Sequence, residues 1–261
     1  EDIKLIDLII ELLDARIPLS SRNPEIDNLG QNKARLVLLN KADLADEKQN
    51  NKWIEYFKEK GIVALKINSK NKQGIKEINN AVNIACKDKI ERNLKRGIKN
   101  RPIRAMVVGI PNVGKSTFIN AYAGKNCAKT GNKPGVTKGK QWIRLNKNLE
   151  LLDTPGVLWP KFDDQKIGMH LAFIGSMNDN ILDVSELAFQ LIKLLENLYP
   201  NAIKDRYSIE GDDNILQIMY QIAEVRGCKL KGNQPDLDKT SKIVLDDFRS
   251  GKLGRITLDR N

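Results

Sequence analysis

The sequence predicts an α/β domain built on a mostly parallel sheet, followed by a domain made of helices alone. Three observations carry this expectation. Apolar runs of strand length alternate with helical stretches as far as Gly156. The last two of these runs, "QWIRLN" and "LELLDTPG", are separated only by "NKN", a turn of hairpin length. After "PKFDD" the strand signals stop and amphipathic helical patterns take over.

In chain order, "LIDLIIELL" at residues 5–13 runs into "DARIPLSSRNP", whose Pro and Ser residues mark a loop. Length alone does not tell strand from helix there, but two similar runs follow at "RLVLLN" and "IVALKIN". Helices are expected near residues 46–60 and 74–97. Strands alternating with helices imply a parallel sheet covered on both faces. "RAMVVGIPNVGKSTFINAYAG" then reads as a buried strand, a Gly-rich turn and a helix beginning near Lys115. Six strands are expected in all. In the second domain, Asp183 with Glu186 forms a capping pair for a helix that Pro200 stops. "NILQIMYQIAEVRG" ends at Gly227 as a C-terminal cap, and "DKTSKIVLDDFRSG" ends at Gly251. The expected division is 1–168 and 169–261, with no internal repeat and no low-complexity tract.

A chain of 261 residues with 41% hydrophobic content can bury a core in one large and one smaller domain. Its net charge of +11 calls for an acidic partner, and the charge is unevenly placed. Residues 1–176 carry 32 Lys and Arg against 19 Asp and Glu, whereas residues 177–261 carry 12 against 14. Within the first part the cations bunch in "KDKIERNLKRGIKNRPIR", residues 87–104, and in residues 125–147, where seven Lys or Arg meet no acid. A single such run is as often a solvated face; two of them around one phosphate-binding motif point to nucleic acid. Residues 87–104 lack an aromatic or Leu-rich face, which argues against a membrane-surface helix. Cys86, Cys127 and Cys228 are too few and too dispersed for a metal site or a disulfide framework, so reduced thiols in a cytoplasmic protein are expected. Neither a signal peptide nor a membrane-length apolar run is visible. The chain opens on Glu1 without an initiating Met, which leaves room for a preceding segment in the native product.

"GIPNVGKST", residues 109–117, fits Gly-x-x-x-x-Gly-Lys-Ser/Thr between an apolar strand and a helix. Gly109 and Gly114 let successive N–H groups turn inward on phosphate oxygens, and the helix N-terminus adds positive potential. Lys115 would reach the β and γ phosphates, Ser116 would ligate magnesium and Thr117 would sit near the α phosphate. "LLDTPG", residues 151–156, places Asp153 at a strand end, where it can hold the magnesium shell through water, and Gly156 where its amide can meet the γ phosphate. "NKAD", residues 40–43, selects the base: Asp43 can accept from both the ring N–H and the amine of guanine, which adenine does not offer. Asn40 can bond the other edge of the base and tie this loop to the phosphate loop; the stem of Lys41 can pack on the purine face, and Ala42 completes the loop. After the next strand, backbone N–H groups of Asn68 and Ser69 could meet the guanine carbonyl.

The order of these motifs is unusual, since the base-reading "NKAD" and "NSK" precede "GIPNVGKST" and "DTPG". In that order, and in "DARIPLSSRNP", "KPGVTKGKQW" and "DFRSGKLGR", the chain resembles the circularly permuted branch of the translation-factor-related GTPases, and closely the YlqF/RbgA ribosome biogenesis GTPases, over Ile3 to Leu258. The resemblance implies a Ras-like P-loop GTPase domain with permuted motif order and a C-terminal helical, RNA-binding domain. It implies GTP/GDP and Mg2+ as ligands, and a role in late maturation of the large (50S) ribosomal subunit through its rRNA, with no membrane and no DNA partner. It gives Thr137 the place of the switch threonine that binds magnesium and the γ phosphate. Asn112 and Val113 take the family positions before Gly114, and Asn112 resembles the asparagine that helps hold K+ in potassium-activated GTPases. Lys115, Thr137 and Gly156 are the candidate catalytic residues and, with Val113, Ser116 and Thr117, surround the phosphates.

One departure bears on catalysis. Val157 stands where many GTPases have a glutamine that orients water, and valine can neither donate nor accept a hydrogen bond. Slow intrinsic hydrolysis, stimulated in trans by the ribosomal particle, is expected. Full-length relatives carry a histidine in an N-terminal segment proposed to act in hydrolysis, and this sequence has no counterpart before Glu1. His170, the only histidine, lies in a helical pattern and reads as structural. A non-catalytic RNA-binding scaffold that uses GTP as a structural ligand, or a GTPase acting on tRNA or at a membrane, is the alternative.

Overall fold

Leu8–Asp14, strand β1, is buried at every one of its positions, and a seven-residue run with both faces covered can only sit inside a sheet. It does so in this computed structural model, which describes residues 2–99, 101–124, 141–153, 164–177 and 183–261. A short 3-10 helix, Asp2–Leu5, leads into β1. Strand β1 pairs parallel with β2 (Ala34–Asn40) on one side and with β4 (Ile103–Val108) on the other, while β3 (Val63–Lys66) adds parallel to β2. Strand β6 (Leu149–Asp153) continues the parallel sheet beyond β4, and β5 (Gln141–Arg144) closes the described edge antiparallel to β6. The order is β3-β2-β1-β4-β6-β5. All six expected strands are present, and the hairpin is the antiparallel pair.

Helices α1 (Glu25–Leu29), α2 (Glu47–Glu59), α3 (Ile78–Ala85), α4 (Lys87–Lys95) and α5 (Lys115–Ala123) complete this unit. The Asp46 carboxylate caps α2 by accepting from Lys48 and Gln49 N–H, and Trp53 and Phe57 of α2 pack on Leu13, Val37 and Leu39. Glu11, the acid in the middle of β1, is buried but accepts from Arg22 and Arg35, so its charge is paired on that face. The single helix expected over 74–97 is two. Gly74 at φ 75 and the Asn68–Gln73 bridge hold the chain in a loop until Ile78, and Cys86, at φ −100 and ψ 13, separates α3 from α4.

The chain divides into two compact units, Glu1–Phe162 with Asp259–Asn261, and Asp163–Leu258. The division falls six residues before the expected 168/169, because α6 (Gln165–Phe173) packs with the helices that follow it. Those are α7 (Val184–Leu198), α8 (Ala202–Tyr207), α9 (Ile215–Val225) and α10 (Leu237–Arg249). Each of α7, α9 and α10 turns an apolar stripe inward, including Leu191 and Leu195, Ile218 and Ile222, and Val244 and Phe248, all buried. Asp183 caps α7 as its capping pair predicts, and Asn214 and Asp236 cap α9 and α10. The guanidinium of Arg249 donates to the carbonyls of Ala172 and Phe173, satisfying the last turn of α6. His170 is buried on α6 with its ring 6.2 Å from that of Phe173.

Candidate nucleotide-binding site

The sheet sets the site. From β1 the chain moves outward through β2 and β3; from β4 it crosses to the other side, to the edge strand β5 and back to β6. The loops leaving β1 and β4 therefore diverge, and a parallel sheet opens its binding crevice at the carboxyl ends of such strands. Asn40 ends β2 in register with Asp14 at the end of β1, and Asp153 ends β6 in register with Val107 of β4. Gly109 and the phosphate-loop sequence follow β4 directly.

Asn40 is buried and ties the two loops together. Its Nδ2 donates to the carbonyl of Val113 at 2.8 Å, and its Oδ1 accepts from the Ser69 N–H at 3.1 Å and the Ser69 hydroxyl at 2.8 Å. Both Oδ1 lone pairs are thus used, and one amide hydrogen is left for an acceptor on a base. The expected tie to the phosphate loop is present. Ser69 serves differently from the expectation, because its N–H braces Asn40. The N–H of Asn68 donates to Gln73 at 3.0 Å, while its side chain accepts from the N–H groups of Lys70 and Asn71. Both N–H groups expected to face a guanine carbonyl are therefore engaged within the protein.

Lys41 adopts φ 57, and its Nζ donates to the Asn112 carbonyl at 2.8 Å while lying 3.1 Å from Asp14 Oδ2. Asn112 is itself left-handed at φ 60. Left-handed backbone at two non-glycine residues has to be held by its surroundings, and this bond joins the two. Asp14, wholly buried, also accepts from Arg16 Nε at 2.9 Å and Nη2 at 2.8 Å. Burial alone would raise the Asp14 carboxyl pKa, but Arg16 and then Lys41 outweigh it and hold the group well below its ordinary value. Asp14 and Arg16 were not singled out from sequence as site residues. The signal was two opposite charges, one residue apart, at and just past the end of an apolar strand beside the strand that ends in "NKAD".

Ala42 is buried and its N–H donates to the Ile67 carbonyl, so the loop has room for little more than a methyl group there. Asp43 is exposed, and its carboxylate makes no hydrogen bond among the described residues, which leaves it open to a base. In the phosphate loop, Gly114 has φ 95, and a Cβ there would meet Asn40 Nδ2 at 2.7 Å. A Cβ on Gly109 would meet the Leu12 carbonyl at 2.9 Å. Val113 is buried beneath the loop, and Lys115 is buried as the first residue of α5. No side chain caps α5, unlike α2 or α7, so Ser116 and Thr117 present its first turn uncovered by a capping side chain. The side chain of Asp153, together with Thr137, Gly156 and Val157, lies outside the described residues.

A family model described as 50S ribosome-binding GTPase matches residues 104–219. The match begins within β4 and leaves the base-reading half outside it, in keeping with a permuted order. A ribosome biogenesis GTPase A from Bacillus cereus is 50% identical over 260 residues, covering 99% of this chain and 88% of its own length. Among solved structures, a GDP-bound YlqF has a TM-score of 0.71 at 26% identity, covering 98% of this chain and 96% of the other. A GNP-bound YlqF from T. maritima has a TM-score of 0.70 at 26% identity, covering 98% and 94%. With the base-reading and phosphate motifs brought together at the carboxyl edge of the sheet in permuted order, and half of all positions shared with such a relative along nearly the whole chain, this protein belongs to the ribosome biogenesis GTPase A family.

Proposed function

We infer that this GTPase binds and hydrolyses GTP with magnesium at the carboxyl edge of its sheet, and uses the nucleotide to gate its binding to large ribosomal subunit particles through their rRNA. Hydrolysis of GTP in ribosome assembly is the activity of its family. The observation that carries the site is the bond from Asn40 Nδ2 to the Val113 carbonyl, which joins a guanine-reading loop to a phosphate loop 73 residues later.

In this reading Asp43 accepts from guanine, and the loop amides beside Gly109 and Gly114 hold the phosphates. Lys115 neutralises the β and γ phosphates, and the backbone N–H of Gly156 meets the γ phosphate. The hydroxyls of Ser116 and Thr137 and the carboxylate of Asp153, acting through water, form a hard-oxygen donor set of the kind magnesium takes. Bound there, magnesium spreads the charge that develops on the phosphates. The carboxamide of Asn112 fits K+ in the same way, with a neutral oxygen beside the phosphate loop. Val157 leaves the attacking water without a side-chain partner, so the particle supplies what is missing. The net charge of +11 supports an RNA partner, and we place the protein in the cytoplasm. No helix among the described residues is long and apolar enough to cross a membrane.

Single-turnover hydrolysis in potassium buffer, with and without large subunits, tests the reading. The expected result is slow turnover alone and stimulation by the subunits; equal rates would overturn it. Asp43→Asn should lose affinity for GTP and gain it for xanthosine triphosphate, because the amide offers a donor where xanthine carries an acceptor. Unchanged GTP affinity would remove Asp43 from the base site.

A further inference from the structure

Helix α4 buries none of its residues, although its sequence is amphipathic. Its Leu94 is 57% exposed, and Ile84 before it and Ile98 after it are exposed as well. An amphipathic helix that leaves its apolar side unclaimed on the protein presents it to something else. The apolar side of α4 forms one wall of a groove of about 560 Å³, whose other walls are α3, the first residue of β4 and the turn between β5 and β6. That is within the range of pockets that hold a small molecule or one unit of a polymer, ~300–1,000 Å³.

The polar lining is mainly asparagine. Asn79 Oδ1 accepts from Tyr122 Oη at 2.6 Å and from Asn146 Nδ2 at 3.1 Å, and Asn146 Oδ1 accepts from the Asn148 N–H at 2.8 Å. This chain fixes one rim of the groove. The carboxamides of Asn83 and Asn93, also in the lining, make no hydrogen bond among the described residues. A carboxamide carries both donors and acceptors and can pair with the edge of a nucleobase. Around the groove, Lys95, Arg96, Lys99 and Lys147 make no ion pair among the described residues and so have charge to spend on phosphates.

We propose that this groove is a site for single-stranded RNA, which seats one unstacked base against Ile90 and Leu94, reads its edge with Asn83 and Asn93, and lays its phosphates on Lys147 and on the cations at and just beyond the C-terminal end of α4. An acidic peptide would satisfy the cations but has no use for a row of carboxamides around an apolar floor. The choice of RNA over other nucleic acids rests on the ribosomal reading above. The groove is also joined to the nucleotide site, since Tyr122 lies on α5, the helix that Lys115 begins. Its ring stacks on Phe118 at 6.0 Å, so a shift of α5 reaches the Asn79 rim directly.

The test is fluorescence anisotropy of the whole chain, bound to a non-hydrolysable GTP analogue, with an end-labelled oligouridylate and with a duplex RNA of the same length. Asn93→Ala and Leu94→Asp change exposed or half-exposed side chains and should keep nucleotide binding. Each should weaken oligouridylate binding by about 10-fold, the scale of losing one seated base, and leave duplex binding unchanged. Lys95→Ala should instead lower the salt dependence of binding to both RNAs. Wild-type oligouridylate affinity in the first two variants would overturn the groove as an RNA site, as would displacement of the RNA by polyglutamate as readily as by unlabelled RNA. The ribosomal reading fails separately: oligouridylate binding lost in these variants, with no stimulation of the wild-type chain by large subunits, would keep the groove and discard that partner.

Discussion

Asp14 shapes the proposed guanine site through its neighbours. It holds Lys41, and Lys41 holds the backbone of Asn112, so one buried carboxylate sets the spacing between two loops. Removing one partner of a buried charge network costs more than the network is worth, because the remaining charges are left without compensation. Asp14→Asn should therefore cost about 3–5 kcal/mol in urea unfolding at neutral pH and weaken GDP binding measured by calorimetry. The pH dependence has a definite sign. The folded pKa of Asp14 lies below its ordinary value of 3.8, so its contribution is fully present above that value and is lost as pH falls toward the folded pKa. Between about pH 5 and pH 3, the wild type should lose more stability than Asp14→Asn; parallel losses would show that the carboxylate is not held by Arg16 and Lys41. Cys86 is a contrasting case. Burial, with Asp7 nearby, pushes its thiol up to about 12, so it should resist alkylation in the folded protein near neutral pH.

At the scale of elements, the phosphate loop works because two strand ends and one helix start meet with no space to spare. Gly114→Ala should lose nucleotide binding and cost roughly 2–3 kcal/mol, since the left-handed backbone strains any side chain and the new methyl meets the Asn40 amide at 2.7 Å. Gly61→Ala is the control: φ is 70 there but nothing lies within 4 Å, so about 1 kcal/mol of backbone strain with unchanged GTP affinity is expected. The strands, the closing hairpin and the capped helix α7 were legible in the sequence because each is a local pattern, an apolar run or a capping acid followed by a stripe. Helices α1 and α8, of five and six residues, were not, since fewer than two turns carry no readable period. The phosphate and base motifs were legible as strings. What the string withheld was which atoms were already committed: the N–H groups of Asn68 and Ser69 are engaged by Gln73 and Asn40, and Asp14 reaches Lys41 only through the register of two parallel strands. Such pairings are set by neighbours in space, and periodicity does not encode them.

At the scale of the whole chain, the α/β unit is assembled from two separate pieces of sequence. Asp259 returns to it and accepts from the N–H groups of Leu19 and Ser20 and from the Ser20 hydroxyl, each at 2.8 Å. These residues lie in the loop that carries Arg16, and the hydroxyl of Ser21 in the same loop accepts from the Asp14 N–H at 3.1 Å. Asp259→Ala would leave three donors without their charged acceptor. It should cost roughly 2–4 kcal/mol in urea unfolding and lower guanine nucleotide affinity through the slackened loop. A change in stability with unaltered affinity would separate this contact from the site.

That return contact also imposes a timetable on synthesis. Leu19 leaves the translating ribosome 240 residues ahead of its partner, and at ~5–20 residues per second the wait is roughly 10–50 s. Through that interval the base-reading lobe must fold with the loop behind Lys41 unfastened. A nascent chain would thus meet cellular GTP with an unfinished grip, and the guanine site would tighten only once Asp259 had been made.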